Sequence, residues 1–239
     1  MELVLDKIYK SYGSKRVLDD LSACFSIGVN AILGPNGSGK STLINIICGN
    51  IKPDSGFVFW NNEDTRNKSC NLASELGYVP QTLALYPDFN GEEYLSYIAA
   101  LKNIPVKKRQ EHVDRVLDIV DLHNVRLQKI KTFSEGMKRR ILIAQSLIGD
   151  PKILIMDEPT AGLDPGQRIA FKKMIGSLSG SKTIIIATHI VPDVENIADK
   201  IFFLKDGGIM TLSNHFYSDN DGYISPLERE YYNVFGNKE

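Results

Sequence analysis

The sequence predicts an α/β fold: a parallel-stranded core, an N-terminal antiparallel β subdomain and an inserted α-helical subdomain. Three observations carry that prediction. Residues 29–33, 153–156 and 183–187 are short apolar runs, each followed by polar residues. Strands buried on both faces of a parallel sheet read this way. Residues from about 88 to 130 change to helical spacing, with Tyr94, Tyr97, Ile98 and Leu101 in one stripe. Val113, Val116, Leu117 and Val120 form a second stripe, and Pro105 separates the two. Ahead of the first apolar run, residues 3–9 and then Leu21, Ala23, Phe25 and Ile27 alternate apolar with polar. Half-exposed antiparallel strands alternate so, which distinguishes this chain from a plain doubly wound sheet.

The first apolar run leads into Gly34-Pro35-Asn36-Gly37-Ser38-Gly39-Lys40-Ser41, the phosphate-binding loop pattern of Gly, four residues, then Gly-Lys-Ser. Glycine lets backbone N–H groups approach a polyphosphate closely. Residues 42–48 continue as a helix ended by Gly49, so the loop lies between strand and helix, where the helix N-terminus favours anions. In this P-loop NTPase core Lys40 is assigned to β- and γ-phosphates, Ser41 to Mg2+ and Thr42 to phosphate.

Tyr12, beside the turn at Gly13, reads either as a stacking platform for a base or as a tyrosine packed on the sheet. Pro53-Asp54-Ser55-Gly56 is a turn before a strand at 57–60, and 61–69 an exposed loop. Gln81, after a strand at 77–79, reads either as a metal or water ligand on a movable loop or as a surface residue. The stripe of Tyr94 and Tyr97 is expected in the core. Ser134 is placed to cap a helix whose apolar face is Met137, Ile141, Ala144 and Ile148. Lys138, Arg139 and Arg140 read as its solvated face.

The run at 153–156 ends in Asp157-Glu158, at the strand end where α/β sheets place chemistry. Adjacent carboxylates there point to different sides: Asp157 to the Mg2+ shell, Glu158 to an attacking water as general base. Asp164-Pro165 opens a helix, and Thr188-His189 ends the next strand, placing His189 within reach of a γ-phosphate. Asp206-Gly207-Gly208 is a hairpin turn; residues 213–239 are a tail in which 226–235 read as a short helix.

Composition excludes several classes. In 239 residues, 43% hydrophobic and 24% charged, a large core is affordable and ordinary globular packing expected. A net charge of −1 argues against electrostatic nucleic-acid binding. Cys24, Cys48 and Cys70 show no C-x-x-C spacing and read as reduced structural thiols of a cytoplasmic protein. No apolar run approaches the length of a membrane span, and no signal pattern opens the chain.

The order of these motifs resembles the nucleotide-binding subunit of an ATP-binding cassette (ABC) transporter, over residues 1–212. The matching features are Tyr12, the stretch from Gly34 to Thr42, Gln81, Ser134 to Met137, Ile153 to Glu158, Ala161-Gly162-Leu163-Asp164 and His189. The resemblance decides the two open residues: Tyr12 as the adenine-stacking aromatic, Gln81 as a catalytic and metal-contacting residue. It implies a 1–212 ATPase domain whose helical subdomain spans about 88–148 and includes the signature helix. It implies ATP and Mg2+, and a head-to-tail pair with a second such subunit, identical or related. There ATP is held between one phosphate loop and Ser134-Glu135-Gly136 of the other chain. It also implies a membrane-spanning permease riding on residues 82–130, at the inner face of the membrane, and no nucleic acid. The signature departs from the family's Leu-Ser-Gly-Gly-Gln: Phe133-Ser134-Glu135-Gly136-Met137, followed by basic residues, resembles the antibiotic- and drug-export branch. Glu135 brings a negative charge close to the expected phosphate. The rival readings are a cassette acting on nucleic acid or the ribosome, and a weakly hydrolysing dimerisation module.

Overall fold

The computed structural model describes residues 1–212 and 224–236; the part of the expected tail at 213–223 and 237–239 lies outside them. In chain order the elements are β1 (Glu2–Tyr12), β2 (Lys15–Ser26), β3 (Gly28–Leu33), α1 (Lys40–Ile47), β4 (Ser55–Trp60) and β5 (Glu63–Asp64). Then follow α2 (Leu72–Glu75), β6 (Leu76–Val79), α3 (Gly91–Leu101), α4 (Val106–Ile119), α5 (Glu135–Leu147) and β7 (Ile153–Asp157). The last are α6 (Pro165–Ser179), β8 (Thr183–Thr188), β9 (Lys200–Lys205), β10 (Gly208–Leu212) and α7 (Pro226–Phe235).

Two sheets form. One is antiparallel, in the order β2-β1-β4-β5; the other, β10-β9-β3-β8-β7-β6, is parallel except at the β9–β10 hairpin. The apolar runs are buried along their whole length because both faces of the parallel sheet are covered. Leu154 and Met156 of β7 face one core with α3, α4 and α5, while Ile153 and Ile155 face the other, with α1 and the antiparallel sheet. The strand ends between these two cores are therefore held from both sides.

Four local expectations need correction. Tyr94 is buried at 2% exposure, but Tyr97 is 39% and Leu101 61% exposed. Helix α3 buries the face of Tyr94, Leu95 and Ala99, rotated from the expected stripe, and Tyr97 stands out against Tyr86 and Phe89. The loop after β4 contains β5, whose two residues pair with Phe59 and Trp60. Cys24 is exposed on β2 and so is no packing residue. Finally, Arg139 is not solvated: it is buried, and its Nη1 donates to the carbonyls of Pro80 and Gln81 at 3.2 and 3.1 Å. Arg140, half-buried, donates to the carbonyls of Val120 and Asp121. Both satisfy main-chain oxygens that the ends of β6 and α4 leave without partners.

Candidate active site

The loop between β3 and α1 has the shape its glycines allow. Gly37 and Gly39 take φ of 80° and 107°, in the left-handed region. A Cβ on Gly34 would sit 2.7 Å from Ser38 Oγ and 2.8 Å from the Leu204 carbonyl, so only glycine fits that approach. Gly39 caps α1 without a side chain, which leaves the first-turn N–H groups to face a ligand. Lys40, 5% exposed, folds back: its Nζ donates to the carbonyls of Gly34 (2.7 Å) and Pro35 (3.1 Å) and lies 3.6 Å from Glu158 Oε1. Burial lowers its pKa, and the nearby Glu158 and Asp157 carboxylates oppose that shift.

Asp157 ends β7 at 2% exposure. Burial raises its carboxyl pKa, opposed by a hydrogen bond from the Ser41 side chain, and its Oδ1 has no protein partner. A buried carboxylate oxygen lacking a donor, next to a serine hydroxyl, fits a hard cation that takes oxygen ligands. Glu158 is turned by a backbone φ of 48°, a strained value for a residue with a side chain. Its N–H donates to the Ala187 carbonyl at 2.8 Å. The carboxylate accepts from Thr188 Oγ1 at 2.9 Å and pairs with His189 Nδ1 at 2.9 Å.

A cavity of about 460 Å³ opens over the loop. Tyr12, Gly37, Gly39, Lys40, Ser41, Thr42, Gln81 and Glu158 line it. Asn36 also lines it, while Pro35 and Ser38 line a neighbouring cavity behind the same loop. The size, the lysine and the exposed tyrosine fit a nucleoside polyphosphate. Ser134 and Gly136 do not line this cavity. Ser134 caps α5 by accepting the Met137 N–H at 3.2 Å, and Gly136 packs on the Gln167 side chain. Of the expected site residues, Tyr12, Asn36, Gly37, Gly39, Lys40, Ser41, Thr42, Gln81 and Glu158 line this cavity, Pro35 and Ser38 line its neighbour, and Gly34 and His189 join through their bonds to Lys40 and Glu158, whereas Ser134 and Gly136 stand apart. Sequence reasoning missed Lys15 and Val17, which line the cavity from β2; the tight turn that sets Lys15 opposite Tyr12 was the available signal.

The ABC transporter family profile matches residues 18–161, more than half of the chain. The chain belongs to the ABC transporter family. Among similar curated proteins, linearmycin resistance ATP-binding protein LnrL of Bacillus subtilis (strain 168) is 34% identical over 212 residues, 88% of this chain and 68% of that one. Nod factor export ATP-binding protein I of Burkholderia orbicola (strain AU 1054) is 33% identical, over 84% of this chain and 66% of its own. The chain spans about two thirds of the length of these bacterial relatives, but 9% of the human glucosylceramide transporter ABCA12. Among solved structures, cbiO1 from Clostridium perfringens, described as part of the ABC transporter complex cbiONQ, superposes with a TM-score of 0.79. It is 30% identical, with 87% of this chain and 86% of that chain covered. A bacterial ABC transporter cassette solved as a dimer gives 0.78 at 25% identity, covering 89% and 99%. The protein is therefore an ATP-binding ABC ATPase of the transporter type.

Proposed function

We propose that this ABC ATPase binds Mg-ATP in the cavity over residues 34–42 and hydrolyses it with Glu158 as general base. The convergence of Lys40, Gln81 and Glu158 on one cavity that the phosphate loop also lines carries the reading. Tyr12 stacks on the adenine, and Gly34, Pro35, Asn36, Gly37, Ser38 and Gly39 supply backbone to the phosphates. Lys40 leaves its two carbonyls for phosphate oxygens, and Thr42 adds a further contact. Ser41, Gln81 and Asp157 would hold Mg2+, which when bound neutralises charge on the phosphates. Glu158 accepts the proton of the attacking water once His189 turns from it toward the γ-phosphate, and Gln81 orients that water. Each group is a positioned donor or acceptor, as phosphoryl transfer requires.

The cavity lacks Ser134 and Gly136, which favours completion of the site by a second, identical or related subunit in the ATP-bound state. Among the described residues no helix is long and apolar enough to cross a membrane. A separate membrane-spanning permease would supply the passage and hold this subunit at the cytoplasmic face. The exposed rings of Tyr86 and Tyr97, in contact with each other at the helical segment, support docking there. Direction is read as export, from the Met137 signature and from relatives named for linearmycin resistance and Nod factor export. The test is phosphate release from ATP by the full chain, with and without Mg2+, and recovery of a permease with the tagged chain from native membranes. Absence of Mg2+-dependent hydrolysis from both the free chain and the membrane complex would overturn the reading.

A further inference from the structure

Besides the His189–Glu158 and Thr188–Glu158 hydrogen bonds, the same two turns share a side-chain tie that does not involve Glu158. Four residues past His189, Asp193 is 2% exposed, and a carboxylate that deep persists only where donors meet it. Its Oδ2 accepts the hydroxyl of Thr160, which lies two residues past Glu158 and is itself buried. Its Oδ1 accepts Arg168 Nη1 at 3.1 Å, and Arg168 Nε donates to the Leu163 carbonyl at 3.2 Å. Neither Asp193 nor Thr160 lines the nucleotide cavity.

The His189–Glu158 and Asp193–Thr160 ties differ in what catalysis asks of them. Glu158 Oε1 is occupied by His189 Nδ1, so that bond must open before either group can serve a substrate. The Asp193–Thr160 bond shares no atom with the site and can persist throughout. It also sits where restraint is needed. The left-handed backbone of Glu158 is costly for a residue with a Cβ and holds only when its surroundings over-determine it. On the N-terminal side, pairing between β7 and β8 does so; beyond Glu158, the Thr160 anchor is the side-chain tie to the His189 turn.

We propose that Asp193 is a positioning residue: through Thr160 it holds the turn after Glu158 so that the carboxylate, also bonded to the Thr188 hydroxyl, stays in register with His189 while their own hydrogen bond is open. This rests on the reading of Glu158 as the base for ATP hydrolysis. Asp193→Asn keeps the volume but turns an N–H toward one of two donors, and Thr160→Val removes only the hydroxyl. Losing a hydrogen bond to a charged group translates into a fall in kcat of about 10- to 100-fold. KM and the equilibrium affinity for Mg-ATP stay within about twofold, because Lys40, Ser41 and Tyr12 are untouched. The double variant is no worse than the more impaired single one. Arg168→Met separates positioning from stability: it breaks the ion pair but leaves the Thr160 tie, so the thermal midpoint falls while most of kcat remains.

Steady-state hydrolysis, ATP titration and thermal unfolding of the full chain are measured for all four variants and for Glu158→Gln. Wild-type kcat in Asp193→Asn and Thr160→Val overturns the inference, as does kcat that falls in step with thermal midpoint across the set, Arg168→Met included. If Asp193→Asn does not fold, Thr160→Val decides alone. The Glu158→Gln control separates the failures. An unimpaired control overturns the assignment of the base and this inference with it, whereas silent Asp193 and Thr160 variants beside an impaired control overturn this inference alone.

Discussion

Replacing Glu158 with glutamine removes one charge from a buried cluster while preserving its shape, and the structure sets two opposite expectations for it. For turnover, a positioned base contributes roughly 10²–10⁴-fold, about 3–5 kcal/mol of barrier. A glutamine amide cannot take the water's proton and can no longer accept at both the Thr188 and His189 positions. For binding the sign reverses. Lys40 Nζ lies 3.6 Å from Glu158 Oε1 and both side chains are nearly inaccessible. At an effective dielectric near 20, that separation corresponds to a direct attraction of about 4–5 kcal/mol before desolvation is counted. Binding of a polyphosphate draws Lys40 away and brings negative charge toward Glu158, so Glu158→Gln is expected to hold Mg-ATP as tightly as the wild type or more so. Phosphate release measures the first expectation, and calorimetric titration with Mg-ATP the second. Turnover within about threefold of wild type would remove Glu158 from the role of base; a marked loss of ATP affinity would refute the electrostatic argument.

Lys40→Ala should do the reverse and lose nucleotide affinity, because it removes a cation from ground state and transition state alike; an unchanged titration with ATP would contradict this. Asp157→Asn should raise the thermal midpoint of the ligand-free chain at pH 7. The carboxyl pKa is raised by burial, so between its unfolded value (near 4) and the raised folded value the native state holds more protons and stability falls as pH rises. The advantage of the variant should therefore vanish as pH drops below about 4, and it should also lose the Mg2+-dependent part of stabilisation by ATP; a lower midpoint at pH 7 refutes the assignment. Glu135 is exposed, and its Cγ would lie 3.4 Å from a Cβ on Gly162 of the same chain, beside the loop between Glu158 and α6. In a Glu158→Gln background, Glu135→Gly should modestly increase the Mg-ATP-dependent dimer measured by sedimentation; equal dimerisation would mean that its charge is turned away from the nucleotide.

Much of this protein was legible in one dimension because its active chemistry depends on local chain geometry. The glycines at 37 and 39, the buried runs that form β3, β7 and β8, and the polar residues closing those runs each follow from short-range sterics or from burial on two faces. Those features determined the phosphate loop, the order of the strand ends and the candidate roles of Lys40, Ser41, Asp157, Glu158 and His189. Only the tertiary structure decided which side chains meet across the chain. Arg139 looks like a solvated cation until main-chain oxygens 58 and 59 residues away are brought against it. Tyr97 looks like core until the rotation of α3 is fixed by what it packs on. Asp193 carries no sequence signal at all. Its partners, Thr160 and Arg168, lie 33 and 25 residues away, and their significance arises only when two adjacent parallel strands place both turns at the same end of the sheet. Periodicity reports which face of an element is apolar, whereas pairing of buried polar groups depends on distances that no local pattern encodes.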